Sequence, residues 1–137
     1  MAGQMCIEGW RVGMDAVFKT DATPEAKQLI LFSDDITITD ATVVGDLTVI
    51  TTNGGEATAL TKATWAAATD ADPVVSRYNT TAGVVFTITG DLTVYGWAIQ
   101  GTTSDALYAA ENFGVKTFVN GNTFTCVPID VKYNIPE

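Results

Sequence analysis

The residues of this chain that could do chemistry are its carboxylates, because it has sixteen Asp and Glu side chains and no histidine. Without imidazole, Ser-His-Asp triads, Cys-His dyads and histidine-ligated metal sites are excluded. A calcium loop needs several converging oxygen ligands, whereas Asp70-Ala71-Asp72-Pro73 stops after two and Asp34-Asp35 stands in a Thr-rich loop. We interpret both acidic clusters as solvated loops closed by Asx hydrogen bonds, with no metal. A glycosidase pair, which needs two carboxylates about 5–10 Å apart, stays open as an alternative.

The remaining reactive residue types give no catalytic pattern. No glycine motif has the G-x-G-x-x-G or P-loop spacing that holds a phosphate. Cys6 and Cys126 stand near opposite ends, outside any CxxC motif. We predict two buried, reduced thiols in a protein made in a reducing cytoplasm, with a disulfide between them as the alternative. The sequence therefore predicts no enzyme, no cofactor and no metal.

Charge and hydropathy exclude two classes of partner. The net charge of −9 repels phosphate backbones, so we expect no nucleic acid. There is no run of about 18 apolar residues, so we expect no membrane span. Glu8, Arg11 and Asp15 interrupt the place where a signal peptide would have its apolar core, so we expect no secretion signal.

One helix can be predicted, over residues 6–18. Its apolar stripe has a 3-4-3 spacing that Phe18 widens, and it consists of Ile7, Trp10, Met14, Val17 and Phe18. Gly9 and Gly13 each weaken the helix by roughly 1 kcal/mol relative to Ala. The helix therefore needs a surface to pack on, either its own domain or a partner. A second helical turn is predicted at residues 23–27, with Thr23 as the N-cap.

From Lys27 onward the chain has the composition of a β protein, with 22 threonines among its 137 residues. Alternating apolar residues separated by turn signals predict eight strands, Gln28–Ser33, Leu47–Thr51, Ala57–Ala67, Val74–Tyr78, Val84–Thr89, Leu92–Gln100, Ala106–Phe113 and Thr123–Tyr133. Trp65 and Trp97 stand in strands as core anchors. We predict a mainly β chain, with an N-terminal helical arm at 1–26 and a jelly-roll-like antiparallel β-sandwich at 27–137.

Six short segments resemble, in the same order, stretches of a group of small phage structural proteins. Gln28–Thr37 resembles LRLFSNNITP, and ATALTKATW at 57–65 is similar to GYAAKTLTAASW. Val85–Gly90 resembles FTFTG, and Val94–Trp97 resembles IYGYYV. Leu107–Phe113 resembles LLWAERF, with Tyr108 and Asn112 in place of the Trp and Arg, and residues 120–128 resemble AGDTLTVTP. The resemblance covers roughly residues 28–131.

The resemblance implies a virion component, either a capsid decoration (cement) protein or a tail-associated β domain. A decoration protein would be made in the host cytoplasm, lie on the outer capsid surface, contact the major capsid protein and form homo-oligomers. We expect a trimer, and a dimer stays open. The helical stripe Ile7, Trp10, Met14, Val17 and Phe18 is our candidate interface with another subunit or the capsid, and packing on its own domain is the alternative.

Two further functions stay open at this stage. One is a tail- or fibre-associated structural protein, which needs the same kind of β surface. The other is a carbohydrate-binding β-sandwich that would use an exposed aromatic platform such as Tyr78 or Tyr133.

Overall fold

The computed structural model describes residues 12–19, 25–78, 83–126 and 129–133, with Lys62 and Tyr133 described in their backbone only. The chain is mainly β, with 46% of residues in strands, antiparallel sheets and one short helix. This confirms the predicted class. The described residues divide into two compact units. The first contains residues 12–19, 61–78, 83, 126 and 129–133, and the second contains 25–60 and 84–125.

Eight strands lie in the described residues: β1 Lys27–Phe32, β2 Thr58–Leu60, β3 Val74–Tyr78, β4 Val84–Thr87, β5 Leu92–Gly101, β6 Leu107–Phe118, β7 Thr123–Cys126 and β8 Ile129–Tyr133. They form a four-stranded sheet of order β2-β1-β5-β6 and two ribbons, β3-β8 and β4-β7.

The predicted strands differ from the observed ones mainly in continuity. Val74–Tyr78 was predicted with both its ends correct, whereas Leu47–Thr51 makes only an isolated bridge, from Val49 to Phe32. The predicted strand 57–67 is reduced to β2 and a 3-10 turn at Lys62–Thr64, and 123–133 is divided into β7 and β8. β6 extends to Phe118 because Gly114, at φ 86°, continues the strand through an irregularity in its pairing with β5.

The four-stranded sheet buries side chains on both faces of β1. Leu29 and Leu31 point to one face and Ile30 and Phe32 to the other, and all four are at most 1% exposed. On the second face, Ile30 and Phe32 pack with Ala98 of β5, and the long loop after β1 adds apolar side chains to the same cluster. Strand β1 is therefore the centre of the second unit's core.

The first unit is built around a row of three aromatic rings. Phe18 lies 4.7 Å from Trp65 between ring centroids, and Trp65 lies 5.3 Å from Tyr78 in an edge-on arrangement. The Tyr78 hydroxyl accepts a hydrogen bond from the Thr61 backbone N–H at 3.1 Å. Asp15 also joins the helix to this region, because its Oδ1 accepts from the Ala68 N–H at 2.7 Å. Trp65 is 2% exposed, which confirms its prediction as a core anchor.

The helix is seen at residues 12–19, with Asp15–Lys19 in π-helical form. Residues 6–11 of the predicted helix lie outside the described part of the chain. The predicted turn at 23–27 is wrong where it can be compared, because Glu25 and Ala26 are not helical and Lys27 begins β1. Pairing with β5 places Lys27 opposite Gly101, so a long-range sheet contact overrides the local helix-start signal.

Candidate functional site

The predicted interface stripe contributes to the core of the first unit. Met14 and Phe18 are buried, at 8% and 5% exposure, and Val17 is half-buried. Phe18 packs against Trp65, which supplies the apolar surface that a glycine-weakened helix needs. Met14 and Phe18 thus follow the alternative in which the helix packs on its own chain. Ile7 and Trp10, the other two stripe residues, lie outside the described residues.

The acidic cluster at Asp34-Asp35 bonds to distant parts of the chain rather than closing a local turn. Asp34 Oδ1 accepts from the Thr48 backbone N–H at 2.9 Å. Asp35 Oδ1 accepts from Asn112 Nδ2, which also donates to the Ile36 carbonyl, both at 2.9 Å. The two carboxylates therefore fix the loop after β1 to its neighbours. Among the described residues, no group of three or more Cys, Asp or Glu side chains is placed to hold a metal ion.

A dense polar site forms around Glu25, just before β1. Its Oε1 accepts from the Thr103 N–H at 3.0 Å, the Ser104 N–H at 2.6 Å and the Ser104 hydroxyl at 2.8 Å. Its Oε2 accepts from the Tyr108 hydroxyl at 2.7 Å and lies 2.9 Å from the same Ser104 hydroxyl. We call Glu25, Thr103, Ser104 and Tyr108 the Glu25 cluster.

The geometry of the β5–β6 turn creates this site. Residues 102–106 join β5 to β6, and in this turn, where Asp105 has φ 59°, the successive N–H groups of Thr103 and Ser104 point at Glu25. Gly101 lies beside it, and a Cβ there would displace the Glu25 carboxylate from its present position. Thr102 strengthens the same junction, since its N–H and hydroxyl both donate to the Ala26 carbonyl, at 2.9 and 3.0 Å.

The electrostatics of the Glu25 cluster favour the ionised carboxylate. Hydrogen bonds from the Ser104 backbone, the Tyr108 hydroxyl and the Ser104 hydroxyl, in that order, lower the pKa of Glu25 from 4.5 to about 2. The Lys27 ammonium lies over the Tyr108 ring, with its Nζ 4.9 Å from the ring centre. A carboxylate this acidic and fully bonded is a poor general base at neutral pH. The arrangement is suited to fastening the β5–β6 turn to the start of β1.

Replacing Glu25 by Gln should change how the free energy of unfolding depends on pH. The folded-state pKa is depressed, so the stabilisation by Glu25 is complete above the unfolded-state pKa and is lost as pH falls through the folded-state pKa. Wild type should exceed Glu25→Gln in unfolding free energy at pH 6, and the difference should shrink between about pH 5 and pH 2. Urea unfolding across this pH range measures both quantities.

The matched control for this prediction is Glu56→Gln, the same substitution at an exposed position of the same unit. The free energy of unfolding of Glu56→Gln should depend on pH in the same way as that of wild type. If the free energy of unfolding of Glu25→Gln runs parallel to that of wild type from pH 6 to pH 2, the cluster does not lower the pKa of Glu25.

A second charged contact joins the two strands of the β3–β8 ribbon. Arg77 and Asp130 are directly opposite each other, and the guanidinium Nε and Nη2 donate to the two carboxylate oxygens at 2.7 and 2.8 Å. This bidentate bond lowers the pKa of Asp130 and raises that of Arg77. Because the Arg77 side chain is 52% exposed, solvent screens the pair, and it aligns the two strands more than it stabilises them.

The sequence contained no signal for the Glu25 cluster, because Glu25 and Ser104 are 79 residues apart and neither belongs to a motif. The structure also removes one predicted sugar platform, since Tyr78 is 9% exposed and packs edge-on against Trp65. The side chain of Tyr133, the other predicted platform, lies outside the described part of the chain. Cys126 is buried, as predicted, and Cys6 lies outside the described residues.

Comparison with known proteins places this chain in no group. No family model matches the sequence, and neither a curated protein nor a solved structure is significantly similar to it. In the described part of the chain, no helix is long and apolar enough to cross a lipid bilayer.

Proposed function

We propose that this chain is a non-enzymatic phage structural protein, a capsid decoration or cement protein that binds the outer capsid surface and stabilises contacts between major capsid subunits. In this proposal the protein has a jelly-roll-like β-sandwich fold, is made in the host cytoplasm, acts on the virion and forms a homo-oligomer. A tail- or fibre-associated structural role is the runner-up, because the same resemblance suggests it.

The observation that carries the proposal is where the motif-bearing segments lie in the sheet. The segment at 28–37 is far in sequence from those at 94–97 and 107–113, yet the three contribute to β1, β5 and β6, three adjacent strands of one sheet. Leu31 pairs with Trp97, and Trp97 pairs with Glu111. Segments that resemble one protein group in collinear order and then form one sheet are what a shared β architecture would produce. This supports the resemblance as a whole rather than its separate short matches.

The physical role of such a protein is to supply contact surface. A modest contact, repeated at every symmetric position of a shell, adds up to a large total stabilisation. The Glu25 cluster and the Asp34 and Asp35 bonds suit that role, because they fasten the β5–β6 turn and the long loop after β1 to the sheet. These loops are then already ordered when the chain has folded, so binding does not carry the free-energy cost of ordering them.

The copy number of the protein in purified particles tests the proposal. Quantitative mass spectrometry against the major shell protein should give a ratio near one per shell subunit for a decoration protein. A result of only a few copies per particle would instead indicate the tail- or fibre-associated role. Complete absence from particles would overturn both.

A further inference from the structure

The chain contains two Asn-Gly pairs, and both stand in tight turns of the second unit. Asn53-Gly54 lies in the turn of residues 52–55, and Asn120-Gly121 lies in the turn of residues 119–122, between β6 and β7. Asn before Gly is the pair most prone to lose ammonia, because glycine has no Cβ to hinder attack by its backbone nitrogen. The two pairs are alike in sequence, and the fold makes them different.

Deamidation at such a pair is an intramolecular ring closure. The glycine backbone nitrogen gives its proton to solvent base and bonds to the Asn Cγ, and the bond from Cγ to Nδ2 breaks so that ammonia leaves. Water then adds to one of the two carbonyls of the succinimide ring and breaks its bond to the ring nitrogen. The product is aspartate, or isoaspartate when the main-chain carbonyl is the one attacked. Ring closure therefore needs a free carboxamide and a peptide unit that can rotate.

The structure restrains the Asn53 carboxamide and the peptide unit that follows it. The carboxamide Nδ2 donates to the Asp91 carbonyl at 3.1 Å. The Asn53 carbonyl, which belongs to the reacting peptide unit, accepts from the Thr89 N–H at 3.0 Å. Gly54, at φ 86°, is packed so closely that a Cβ there would overlap the Thr87 carbonyl. Rotation of this peptide unit would break these contacts together, so Asn53 is protected in the folded chain.

The corresponding peptide unit at Asn120 is held by one hydrogen bond in the described part of the chain, from the Gly121 N–H to the Ile88 carbonyl at 2.9 Å. The Asn120 side chain is exposed, and among the described residues no hydrogen bond restrains its carboxamide. A Cβ built on Gly121 would meet no heavy atom within 4 Å, so the unit has open space to rotate. Breaking one backbone bond in an exposed turn therefore frees the attacking nitrogen.

We propose that Asn120 is a modification site, which converts spontaneously to aspartate and isoaspartate while Asn53 in the same unit stays protected. Conversion adds one negative charge to a chain of net charge −9. Isoaspartate also lengthens the main chain by one methylene group, in the turn that joins β6 to β7. The contact that this lengthening displaces is the Gly121 bond to Ile88, just beyond the end of β4. The turn thus carries a slow, irreversible change in charge and length.

Peptide mapping of the purified chain tests the inference, because trypsin separates the two pairs. Cleavage after lysine releases Asn53 within residues 28–62 and Asn120 within residues 117–132. The folded chain is held at about pH 8 and about 37 °C, and mass spectrometry follows the gain of about 1 Da in each peptide. Residues 117–132 should convert at least about fivefold faster than residues 28–62. In urea, where neither turn exists, the two rates should agree within about twofold.

Asn120→Gln is the matched variant, because the longer side chain closes its ring far more slowly and Asn122 remains in the same peptide. This variant should abolish the conversion of residues 117–132 and leave that of residues 28–62 unchanged. Conversion that persists in residues 117–132 would assign the change to Asn122 and overturn the inference. Equal rates for the two peptides of the folded chain, or a faster rate for residues 28–62, would overturn it as well. Neither result depends on the copy number in particles, so this inference and the proposed function fail separately.

Discussion

Trp65→Ala should lower the free energy of unfolding by about 3–5 kcal/mol, the range for truncating a large buried aromatic residue. Trp65 is 2% exposed and lies between Phe18 and Tyr78, at 4.7 and 5.3 Å between ring centroids. Its removal leaves a cavity between the Phe18 and Tyr78 rings, and the helix at 12–19 loses the contact between Phe18 and Trp65. Urea unfolding followed by circular dichroism would measure the loss.

Two variants control for this effect. Val115→Ala removes an apolar side chain that is 58% exposed, and it should change the free energy of unfolding by less than about 0.5 kcal/mol. Trp65→Phe keeps a ring in the row and should lose less stability than Trp65→Ala. A loss below about 1 kcal/mol for Trp65→Ala would contradict the central position of this side chain in the first unit.

Gly96→Ala should destabilise the chain by about 3 kcal/mol or more, although it adds a single methyl group. Gly96 pairs with Phe32 across β5 and β1, and the Phe32 ring lies over the glycine. An added Cβ would collide with this ring and with the backbone carbonyl oxygen of Glu111. The ring could change its rotamer, but the carbonyl belongs to β6 and cannot move without breaking the β5–β6 pairing.

The control is Gly45→Ala, at a glycine with no heavy atom within 4 Å of the added Cβ and with no left-handed φ. Its unfolding free energy should match that of wild type within about 0.5 kcal/mol. Thermal unfolding of both variants gives the comparison. If Gly96→Ala and Gly45→Ala had equal free energies of unfolding, strands β5 and β6 could move apart at Gly96 without loss of stability, which would contradict this prediction.

The features predicted correctly from sequence are those with a local physical cause. The β class follows from branched side chains in period-2 alternation, which explains why Val74–Tyr78 was located with both ends correct. The burial of Trp65 and Trp97 follows from their size and their place in apolar segments. The stripe spacing also predicted helix for residues 12–18, the part of that helix that is described.

The strand ends that were missed have causes elsewhere in the chain. Strand 57–67 appears continuous in sequence, but Lys27 and Leu29 of β1 pair only with residues 58–60. Trp65 bridges to Tyr78, and both belong to the first unit, whereas residues 58–60 belong to the second, so the segment divides between two sets of partners. Similarly, Leu47–Thr51 has one bridge to Phe32 because the Asp34 side chain takes the Thr48 N–H.

The sequence by itself determined the β composition, the turns, the acidic charge and the absence of histidine chemistry, since each depends on residue type and near-neighbour spacing. Only the tertiary structure decided which residues meet. It joins Glu25 to Ser104 across 79 positions, packs Phe18 on Trp65, and pairs β4 with β7. Those contacts depend on which strands pair across the fold, and pairing is set by the burial of whole faces rather than by any local pattern.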